Sequence, residues 1–250
     1  MGRGLVHPGT SVESERDTTV GIIGGMGPEA TIDLMRRVIA ATPAADDEDH
    51  IRMLVDSNPQ VPSRIRALID KTGPSPSPAL EAMAKGLQRQ GADFLAMPCN
   101  TAHHYYPAIA AAVDVPVLNL MQLVSEYVVR EQPGVERVGL LASTALSEIA
   151  LYEPWFEESG VQILYPDTYS QSALMNLICA VKAGGAKSMG YTALRAAAEQ
   201  LQASGADCLL IACTELSVIA DELQAAAPVY DASEILARAV VARAKGAPAE

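Results

Sequence analysis

One segment of this sequence occurs twice, and each copy leads to a cysteine. Residues 91–95 read Gly-Ala-Asp-Phe-Leu and precede Cys99, whereas residues 205–209 read Gly-Ala-Asp-Cys-Leu and precede Cys213. Each cysteine stands eight residues after the glycine that begins its segment. A chain that repeats itself in this way is expected to contain a duplicated folding unit. The two cysteines are then expected at equivalent positions of two similar lobes.

Short apolar runs alternate with helical patterns along the chain. Between the runs, apolar residues recur at helical spacing, as in Leu80, Met83, Ala84 and Leu87. Strands that alternate with helices predict right-handed crossovers in a parallel sheet. We therefore expect an α/β fold with two pseudo-twofold-related lobes, each a parallel sheet flanked by helices. The apolar runs have the character of buried parallel strands and occupy residues 20–23, 53–55, 94–97, 115–118, 138–141, 161–164, 208–212 and 229–230.

The repeat also predicts where the lobes begin and end. We expect the first α/β lobe over residues 19–117, completed by a C-terminal helix at 232–246, and the second lobe over residues 118–231. Residues 1–18 mix small, polar and charged residues without periodicity and are predicted to form a disordered tail. Because α/β proteins bind ligands at the carboxyl ends of parallel strands, the active site is expected in the cleft between the lobes.

The composition argues against several classes of protein. The 250 residues are 49% apolar, enough for the cores of two modest lobes, and the formal net charge is -12. That charge argues against non-specific binding to nucleic acid or to an anionic membrane. The sequence has neither a run of about 18 apolar residues nor the pattern of a secretory signal, so we expect a soluble cytoplasmic protein. An anionic substrate would need dedicated cations in its site.

Cys99 and Cys213 each follow a predicted strand and precede a helical pattern. Free backbone amides at a helix start stabilise a thiolate, so we expect these positions to favour the thiolate form. A single cysteine at a strand end is usually a small core residue, but the duplicated placement favours a function for this pair. Cys179 and Cys208 lie within an apolar helix and a strand, and both are expected in the core. His103 follows Cys99 at helical spacing, but one such pair leaves a metal ion short of ligands, so no metal site is expected.

A glycine-rich turn follows the first predicted strand. Three glycines between residues 24 and 27 precede Pro28, a residue that favours the first turn of a helix. Residues 25–30 match the glycine pattern of dinucleotide-binding proteins, but the acidic residue expected about 20 residues later arrives only at Asp56. A turn of this kind binds any anion, including a substrate carboxylate. A nucleotide-dependent oxidoreductase is therefore an open alternative at this point.

Other polar residues follow strands on the same predicted edge of the cleft. The loop after the second strand carries Gln60 and Arg64, and an arginine there either binds a carboxylate with two hydrogen bonds or lies on the surface. Ser143 and Thr144 follow a later strand in the same way. Lys182 ends a predicted helix, where an exposed lysine is common. The residues alone leave both interpretations open for the arginine and the lysine.

Taken together, these segments resemble the cofactor-independent aspartate/glutamate racemase family. The resemblance runs from about Thr19 to Lys245. In that family two cysteines are the catalytic pair, which implies these roles for Cys99 and Cys213. The motifs that carry it lie at residues 24–28, 57–64, 97–103 and 212–215. The resemblance also implies that the substrate is bound by a set of cleft residues, namely Met26, Gln60, Arg64, Asn100, Thr101, Thr144, Lys182 and Thr214.

Four positions bear on the substrate. The resemblance assigns substrate-carboxylate binding to Arg64 and Lys182. Glutamate racemases usually carry histidine after the second Cys-Thr pair, whereas this chain has Glu215 there, which favours the aspartate branch and gives Glu215 an auxiliary role. Ser63 replaces the aspartate that is common before the arginine, which leaves the fine substrate preference open.

The implied activity is that of an isomerase which interconverts L- and D-aspartate, with glutamate as a further candidate. Cys213 would take the proton from the L-enantiomer and Cys99 from the D-enantiomer. No cofactor and no metal are expected, and the expected partners are a small acidic amino acid and a second copy of the chain. Three alternatives stay open: a dicarboxylate decarboxylase or cis-trans isomerase of the same fold, a nucleotide-dependent oxidoreductase, and a dicarboxylate-binding protein without catalysis.

Overall fold

Two parallel sheets form the framework of the molecule. The computed structural model describes residues 18–184, 190–220 and 223–246, so the predicted tail at 1–18 falls outside the described residues except for Thr18. The first sheet has the strand order β2-β1-β3 and the second the order β5-β4-β6-β7, with all pairs parallel. The predicted α/β fold with parallel sheets is confirmed. The strands are β1 Val20–Gly24, β2 Met53–Ser57, β3 Phe94–Ala96, β4 Arg137–Leu141, β5 Gln162–Leu164, β6 Cys208–Ile211 and β7 Val229–Asp231.

Helices join the strands and cover the sheets. The helix predicted from Leu80, Met83, Ala84 and Leu87 forms, and it buries all four side chains. In the described ranges, no helix is long and apolar enough to cross a membrane. Short 3-10 helices occur at Asp47–Asp49 and Thr101–Tyr105, and the α-helices of the described residues are α1 Pro28–Ala41, α2 Arg64–Leu68, α3 Ser77–Arg89, α4 Tyr106–Ala111, α5 Leu120–Glu131, α6 Thr144–Glu148, α7 Glu153–Glu157, α8 Thr168–Lys182, α9 Gly190–Ala203, α10 Thr214–Ser217 and α11 Ala232–Ala244.

The strand predicted at residues 115–118 is reduced to a single bridge. Leu95 of β3 pairs with Val117 there. The Leu95 N–H donates to Pro116 O, and the Leu118 N–H donates to Leu95 O, both at 2.8 Å. Because Pro116 has no N–H, the ladder cannot continue through it. Among the described residues, the first sheet therefore has three strands and the second has four. The central strand β1 of the first sheet corresponds to β4 of the second.

The repeated segments explain how each central strand is packed. Gly21 lies in β1, and Gly139 lies at the equivalent place in β4. A Cβ added to Gly139 would lie 2.9 Å from Leu209 Cδ2 and 3.1 Å from Ala206 Cβ, which is too close for a well-packed core. At Gly21 the nearest atoms belong to the equivalent leucine and alanine of the first segment, at 2.5 and 2.9 Å. Both lobes therefore depend on the same close contact between the central strand and the Gly-Ala-Asp segment.

The aspartates of the repeat bind the start of the central strands. Asp207 Oδ2 accepts hydrogen bonds from the backbone N–H groups of Glu136 and Arg137 at 2.9 and 2.8 Å. Asp93 Oδ2 accepts one from the Thr19 N–H at 2.8 Å. The glycine that begins each segment has a φ of 96 or 91 degrees, a conformation that favours glycine. The glycine, alanine and aspartate of each segment thus help to hold β3 or β6, the strand that leads to the cysteine, against the central strand of its sheet.

A continuous apolar core lies between the two sheets. It includes Ile22 of β1 and Leu140 of β4, together with Val124 of α5 and Leu236 of α11. The outer faces of the sheets have separate cores under α3 and α9. α11 packs against α1 of the predicted first lobe and against α5 of the predicted second lobe, so the assignment of the C-terminal helix to the first lobe stays a prediction. One core is thus shared by both lobes, and each lobe has a further core on the outer face of its sheet.

The two cysteines outside the repeated positions differ in burial. Cys208 of β6 is fully buried, as predicted. The prediction for Cys179 is wrong, because its side chain is exposed on α8. That helix buries Leu174, Leu177 and Ile178, and the next residue along a helix points about 100 degrees away from its neighbour. An apolar helix composition therefore did not specify which face is buried.

Gly139→Ala is expected to destabilise the protein, because the new methyl group has no space beside Ala206 and Leu209. Overpacking of a core in this way costs about 1–3 kcal/mol of unfolding free energy. Urea denaturation of the variant and the parent protein measures the loss. Gly86→Ala in α3 is the matched control, since nothing lies within 4 Å of a Cβ added there, and it should be neutral or gain up to about 1 kcal/mol. Equal effects of the two substitutions would contradict the packing argument.

Candidate active site

Cys99 and Cys213 line the same cavity, near the carboxyl ends of β3 and β6. Cys213 forms the N-cap of α10, and both thiols are buried, with 6% and 7% of the residue surface exposed. The inner cavity that they line has a volume of about 50 Å³ and is formed by residues of both lobes. Most of the residues expected in the cleft line it as well, namely Met26, Arg64, Asn100, Thr101, Lys182, Thr214 and Glu215.

Two of the residues expected in the cleft lie elsewhere. Gln60 is exposed on the loop after β2. Thr144 begins α6, and its hydroxyl accepts a hydrogen bond from Gln171 Nε2 at 3.3 Å. The neighbouring Ser143 lines the cavity and has a buried hydroxyl without a hydrogen-bond partner among the described residues. The sequence signal for a role of Ser143 in the cleft was its position just after β4. The binding roles of Gln60 and Thr144 stay predictions.

Asn100 brings an unpaired donor to the wall of the cavity. Its Oδ1 accepts a hydrogen bond of 2.6 Å from the Tyr152 hydroxyl, which fixes the orientation of the amide. Tyr152 is fully buried, so this contact is shielded from water. The amide Nδ2 is also buried and has no partner within the described ranges. A buried unpaired donor costs about 1–3 kcal/mol, and an acceptor on a ligand would remove that cost.

The Cys213 thiol donates a hydrogen bond to Glu215 Oε2, with the two atoms 3.2 Å apart. The other carboxylate oxygen lies 3.6 Å from Lys182 Nζ. Burial raises the pKa of the Cys213 thiol well above its ordinary value, the charge of Glu215 raises this pKa further, and the charge of Lys182 lowers it. The thiol is therefore protonated at neutral pH. The expectation of a thiolate is wrong at Cys213, because the dipole of the four-residue α10 is too weak to overcome burial and a carboxylate.

The two thiols have different neighbours in otherwise equivalent frames. Thr101 stands two residues after Cys99, at the position that Glu215 holds after Cys213. His103 Nδ1 donates to the Cys99 carbonyl oxygen at 2.9 Å, and burial lowers the pKa of His103 to about 4, so the imidazole is neutral. It holds the backbone of the first thiol without adding a charge. The repeat therefore supplies two thiols, and the residue two positions later makes them chemically unequal.

Arg64 and Lys182 line both the inner cavity and an outer cavity of about 450 Å³. The Arg64 guanidinium donates to the backbone carbonyl oxygens of Pro62 and Met26 at 3.2 and 3.4 Å. In the described part of the chain no carboxylate pairs with it, so its charge is available to an anionic ligand. The Lys182 ammonium forms an ion pair with Glu215. A carboxylate that enters from the outer cavity therefore meets a cation close to the thiols.

The glycine-rich turn is held by Thr31 of α1. The Gly25 N–H donates to the Thr31 hydroxyl at 2.8 Å, and that hydroxyl donates to Gly27 O at 3.2 Å. Because the Gly25 amide already has a partner, it is not free for a phosphate, which disfavours dinucleotide binding. A Cβ on Gly27 would lie 3.6 Å from Glu215 Oε1, and a carboxylate so near also repels phosphate. In the ranges described, no three His, Cys, Asp or Glu side chains are grouped to hold a metal ion.

Comparisons with known proteins agree on one family. A family model described as Asp/Glu/Hydantoin racemase matches residues 23–240. The broad specificity amino-acid racemase RacX of Bacillus subtilis strain 168 is 30% identical over 227 residues, which cover 89% of this chain and 96% of that protein. The resemblance inferred from the motifs is thereby confirmed.

Solved structures agree with the fold. Picrophilus torridus aspartate racemase matches with a TM-score of 0.78 at 32% identity, over 91% of this chain and 94% of that one. A glutamate racemase from Francisella tularensis in complex with D-glutamate matches with a TM-score of 0.63 at 14% identity, over 92% of this chain and 82% of that one. The second match concerns the fold alone, and both confirm the two-lobed α/β architecture.

Glu215→Gln is expected to lower the pH at which Cys213 becomes reactive, because the amide lacks the charge that raises the Cys213 pKa. Timed alkylation with iodoacetamide over a pH series, read by peptide mass spectrometry, gives the midpoint for Cys213 separately from the other cysteines. Lys182→Met should move the same midpoint upward, since the lysine charge lowers this pKa. Movement in the same direction in both variants would contradict the electrostatic account.

Proposed function

We propose that this chain, which belongs to the Asp/Glu/hydantoin racemase family, interconverts L- and D-aspartate by two-base proton transfer. The observation that carries the proposal is that Cys99 and Cys213, the thiols of the two repeated segments, line one cavity. Racemisation removes a proton from one face of the α-carbon and delivers another to the opposite face. Two thiols on facing lobes suit that geometry, and each acts as the base in one direction and the acid in the other.

Glu215 is proposed to hold the proton that Cys213 must release. Cys213 is protonated at rest, so it must lose this proton before it can accept the α-proton of L-aspartate. Glu215 Oε2 lies 3.2 Å from the sulfur and is in reach of the proton. The Cys213 thiolate then takes the α-proton, and Cys99 delivers its own proton to the other face. The cycle closes when Glu215 loses its proton to solvent and Cys99 regains one.

Arg64 and Lys182 are proposed to bind the side-chain carboxylate of the substrate. A guanidinium without a carboxylate partner in the described residues matches the planar geometry of a carboxylate. The unpaired Asn100 amide is suited to the α-carboxylate, where negative charge grows as the proton leaves. Each 1.4 kcal/mol by which such contacts favour the transition state is about tenfold in rate. Met26, Thr101 and Thr214, which line the cavity with the thiols, are proposed to complete the cleft. Binding roles for Gln60 and Thr144, which lie outside this cavity, rest on the resemblance alone.

Aspartate is proposed as the preferred substrate and glutamate as a second one. The neighbour from Picrophilus torridus is named an aspartate racemase, and the relative from Bacillus subtilis carries a name of broad specificity. Room for a longer side chain exists in the outer cavity of about 450 Å³ beside Arg64 and Lys182. Glutamate is therefore expected to bind, with its longer chain less well aligned with the thiols.

The rival functions lack a comparable observation. A decarboxylase that uses a single proton donor needs one thiol, whereas both cysteines line this cavity. A dicarboxylate-binding protein without catalysis needs neither of them. The occupied Gly25 amide is unfavourable for a nucleotide-dependent oxidoreductase. Racemisation is thus the reaction for which the paired thiols have a use.

The compartment and the assembly state are also proposed. All four cysteines are free thiols, which is the expected state in the reducing cytoplasm, and we assign the protein to that compartment. A homodimer is proposed because α1 exposes Ile32 and Ile39 by 53% and 48%, seven residues apart on one helix face. Light scattering of the purified protein measures the assembly state, and a monomer at high concentration would contradict the dimer.

The central test is the fate of the α-hydrogen of aspartate in deuterated water, with no pyridoxal phosphate, metal or nucleotide added. Cys99→Ala and Cys213→Ala should each lower net racemisation by at least about 10²-fold, because each removes one acid-base group. In Cys99→Ala, L-aspartate should still exchange its α-hydrogen through Cys213 while D-aspartate stays inert. Cys213→Ala should give the mirror pattern. Chiral chromatography with mass spectrometry of recovered substrate reads both quantities.

Cys179→Ala is the control for that experiment, since this exposed thiol lies outside the cavity, and it should retain activity. Exchange from both enantiomers in either single variant would rule out one dedicated thiol per face. Activity lost on treatment with a chelator and restored by a metal would overturn the two-thiol mechanism. Absence of racemisation by the parent protein with aspartate and glutamate would overturn the assigned substrate class.

A further inference from the structure

A partly buried polar cluster lies behind Cys213 and joins the two lobes. At its centre is Arg37 of α1, whose side chain is only 16% exposed. Its Nη2 donates to the carbonyl oxygen of Ser217 at 3.0 Å and lies 3.2 Å from Asp231 Oδ2. Its Nε and Nη1 pair with Asp33 and Glu234 at 2.7 and 3.3 Å. One guanidinium from the first lobe thus binds α1, the end of α10 and the start of α11.

We infer that Arg37 is a positioning residue that fixes Cys213 relative to the first lobe, an inference that rests on the proposed function. The contact is transmitted through one helical turn. Ser217 ends α10, its N–H donates to Cys213 O at 3.0 Å, and its hydroxyl lies 3.4 Å from the same oxygen. The helical turn of α10 thus runs from the carbonyl of Cys213 to the carbonyl of Ser217, and Arg37 binds the carbonyl of Ser217.

The turn that carries Cys213 needs external partners. α10 has four residues, and a helix that short is not stable by itself. The Ser217 hydroxyl donates to Asp231 Oδ1 at 2.6 Å, and the Ser233 N–H donates to the same oxygen at 2.8 Å. Asp231 in turn is paired with Arg37. Without the arginine, the buried carboxylate of Asp231 loses its cation, and the turn loses the group that holds its last carbonyl.

Arg37 is suited to this role because the start of α1 lies beside the outer cavity. α1 starts directly after the glycine-rich turn that brings Met26 to the thiols. The first residues of α1, 28–30, line the outer cavity, and the same helix contacts the Cys213 turn through Arg37. Two-base transfer requires both thiols to stay aligned with one carbon atom, and a displacement of about 1 Å costs on the order of 10²-fold in rate.

The neighbouring Arg36 supplies a matched control. It pairs with Asp33 at 3.2 Å, as Arg37 does, but its side chain is 67% exposed. Its one ion pair in the described residues stays within α1. Arg36→Met therefore removes an arginine from the same helix and from the same aspartate without touching α10. A loss that Arg37→Met shows and Arg36→Met does not is due to the contacts that Arg37 makes beyond α1.

The first test compares the enantiomers in deuterated water. Arg37→Met is expected to lower the kcat of racemisation about 10- to 100-fold, with KM within about threefold because Arg64 and Lys182 are unchanged. It should also reproduce, in weaker form, the exchange pattern of Cys213→Ala: D-aspartate keeps its exchange through Cys99, and L-aspartate loses it. Arg37→Lys should be intermediate, since an ammonium cannot hold the carbonyl and the carboxylates together. Arg36→Met should match the parent protein.

The second test does not depend on racemase activity. In Arg37→Met, iodoacetamide should modify Cys213 about fivefold faster or more, since the freed turn opens locally, while the rate at Cys99 stays unchanged. Circular dichroism and urea midpoints show whether each variant is folded, and Asp231→Asn replaces Arg37→Met if the latter is not. Equal changes at both thiols, or no change at either, would overturn the positioning role even if the proposed substrate proved wrong. If the parent protein has no racemase activity but Arg37→Met still changes the modification rate of Cys213 alone, the proposed function is overturned and the positioning role is supported.

Discussion

The close contact between each central strand and its Gly-Ala-Asp segment sets the geometry on which the site depends. At Gly21 and Gly139 the strand carries no side chain, so the segment before β3 or β6 packs directly against it. The number of residues from that contact to the cysteine is the same in both lobes. The two cysteines therefore follow the carboxyl ends of β3 and β6 at nearly equivalent positions. A larger side chain at either glycine would displace the strand and with it the thiol.

The duplicated frame makes the thiols equivalent in position, and a few substitutions make them different in chemistry. Glu215 follows Cys213 at the position where Thr101 follows Cys99. Burial raises the pKa of the Cys213 thiol, the charge and the hydrogen bond of Glu215 raise it further, and the charge of Lys182 limits that effect. A reversible racemase needs one acid and one base at any moment, and Glu215 gives Cys213 an adjacent carboxylate that can hold its proton while this thiol acts as the base. The symmetry of the fold and the asymmetry of the charges therefore serve the same reaction.

The sequence patterns predicted most of the framework, and they failed where a local pattern does not contain the deciding interaction. The apolar runs located the central strands within a residue or two, but 115–118 became one bridge because a proline interrupts its hydrogen bonding. Composition assigned Cys179 to the core, although only the packing of α8 selects its buried face. The start of a helix predicted a thiolate at Cys213, although a carboxylate two residues later and burial outweigh the dipole of one turn.

Duplication, strand and helix periodicity, the paired cysteines and the racemase motifs are properties of the sequence alone, since each depends on residues close together in the chain or on their repetition. The contacts of Arg37 with Ser217, of Tyr152 with Asn100 and of Lys182 with Glu215 were decided by the tertiary structure. Each joins residues separated by 33 to 180 positions, and nothing in their local patterns specifies a partner. The first two contacts depend on how the two lobes pack around the shared core, whereas the third depends on the packing of α8 against α10 within the second lobe. In each case only tertiary packing brings the distant side chains close together.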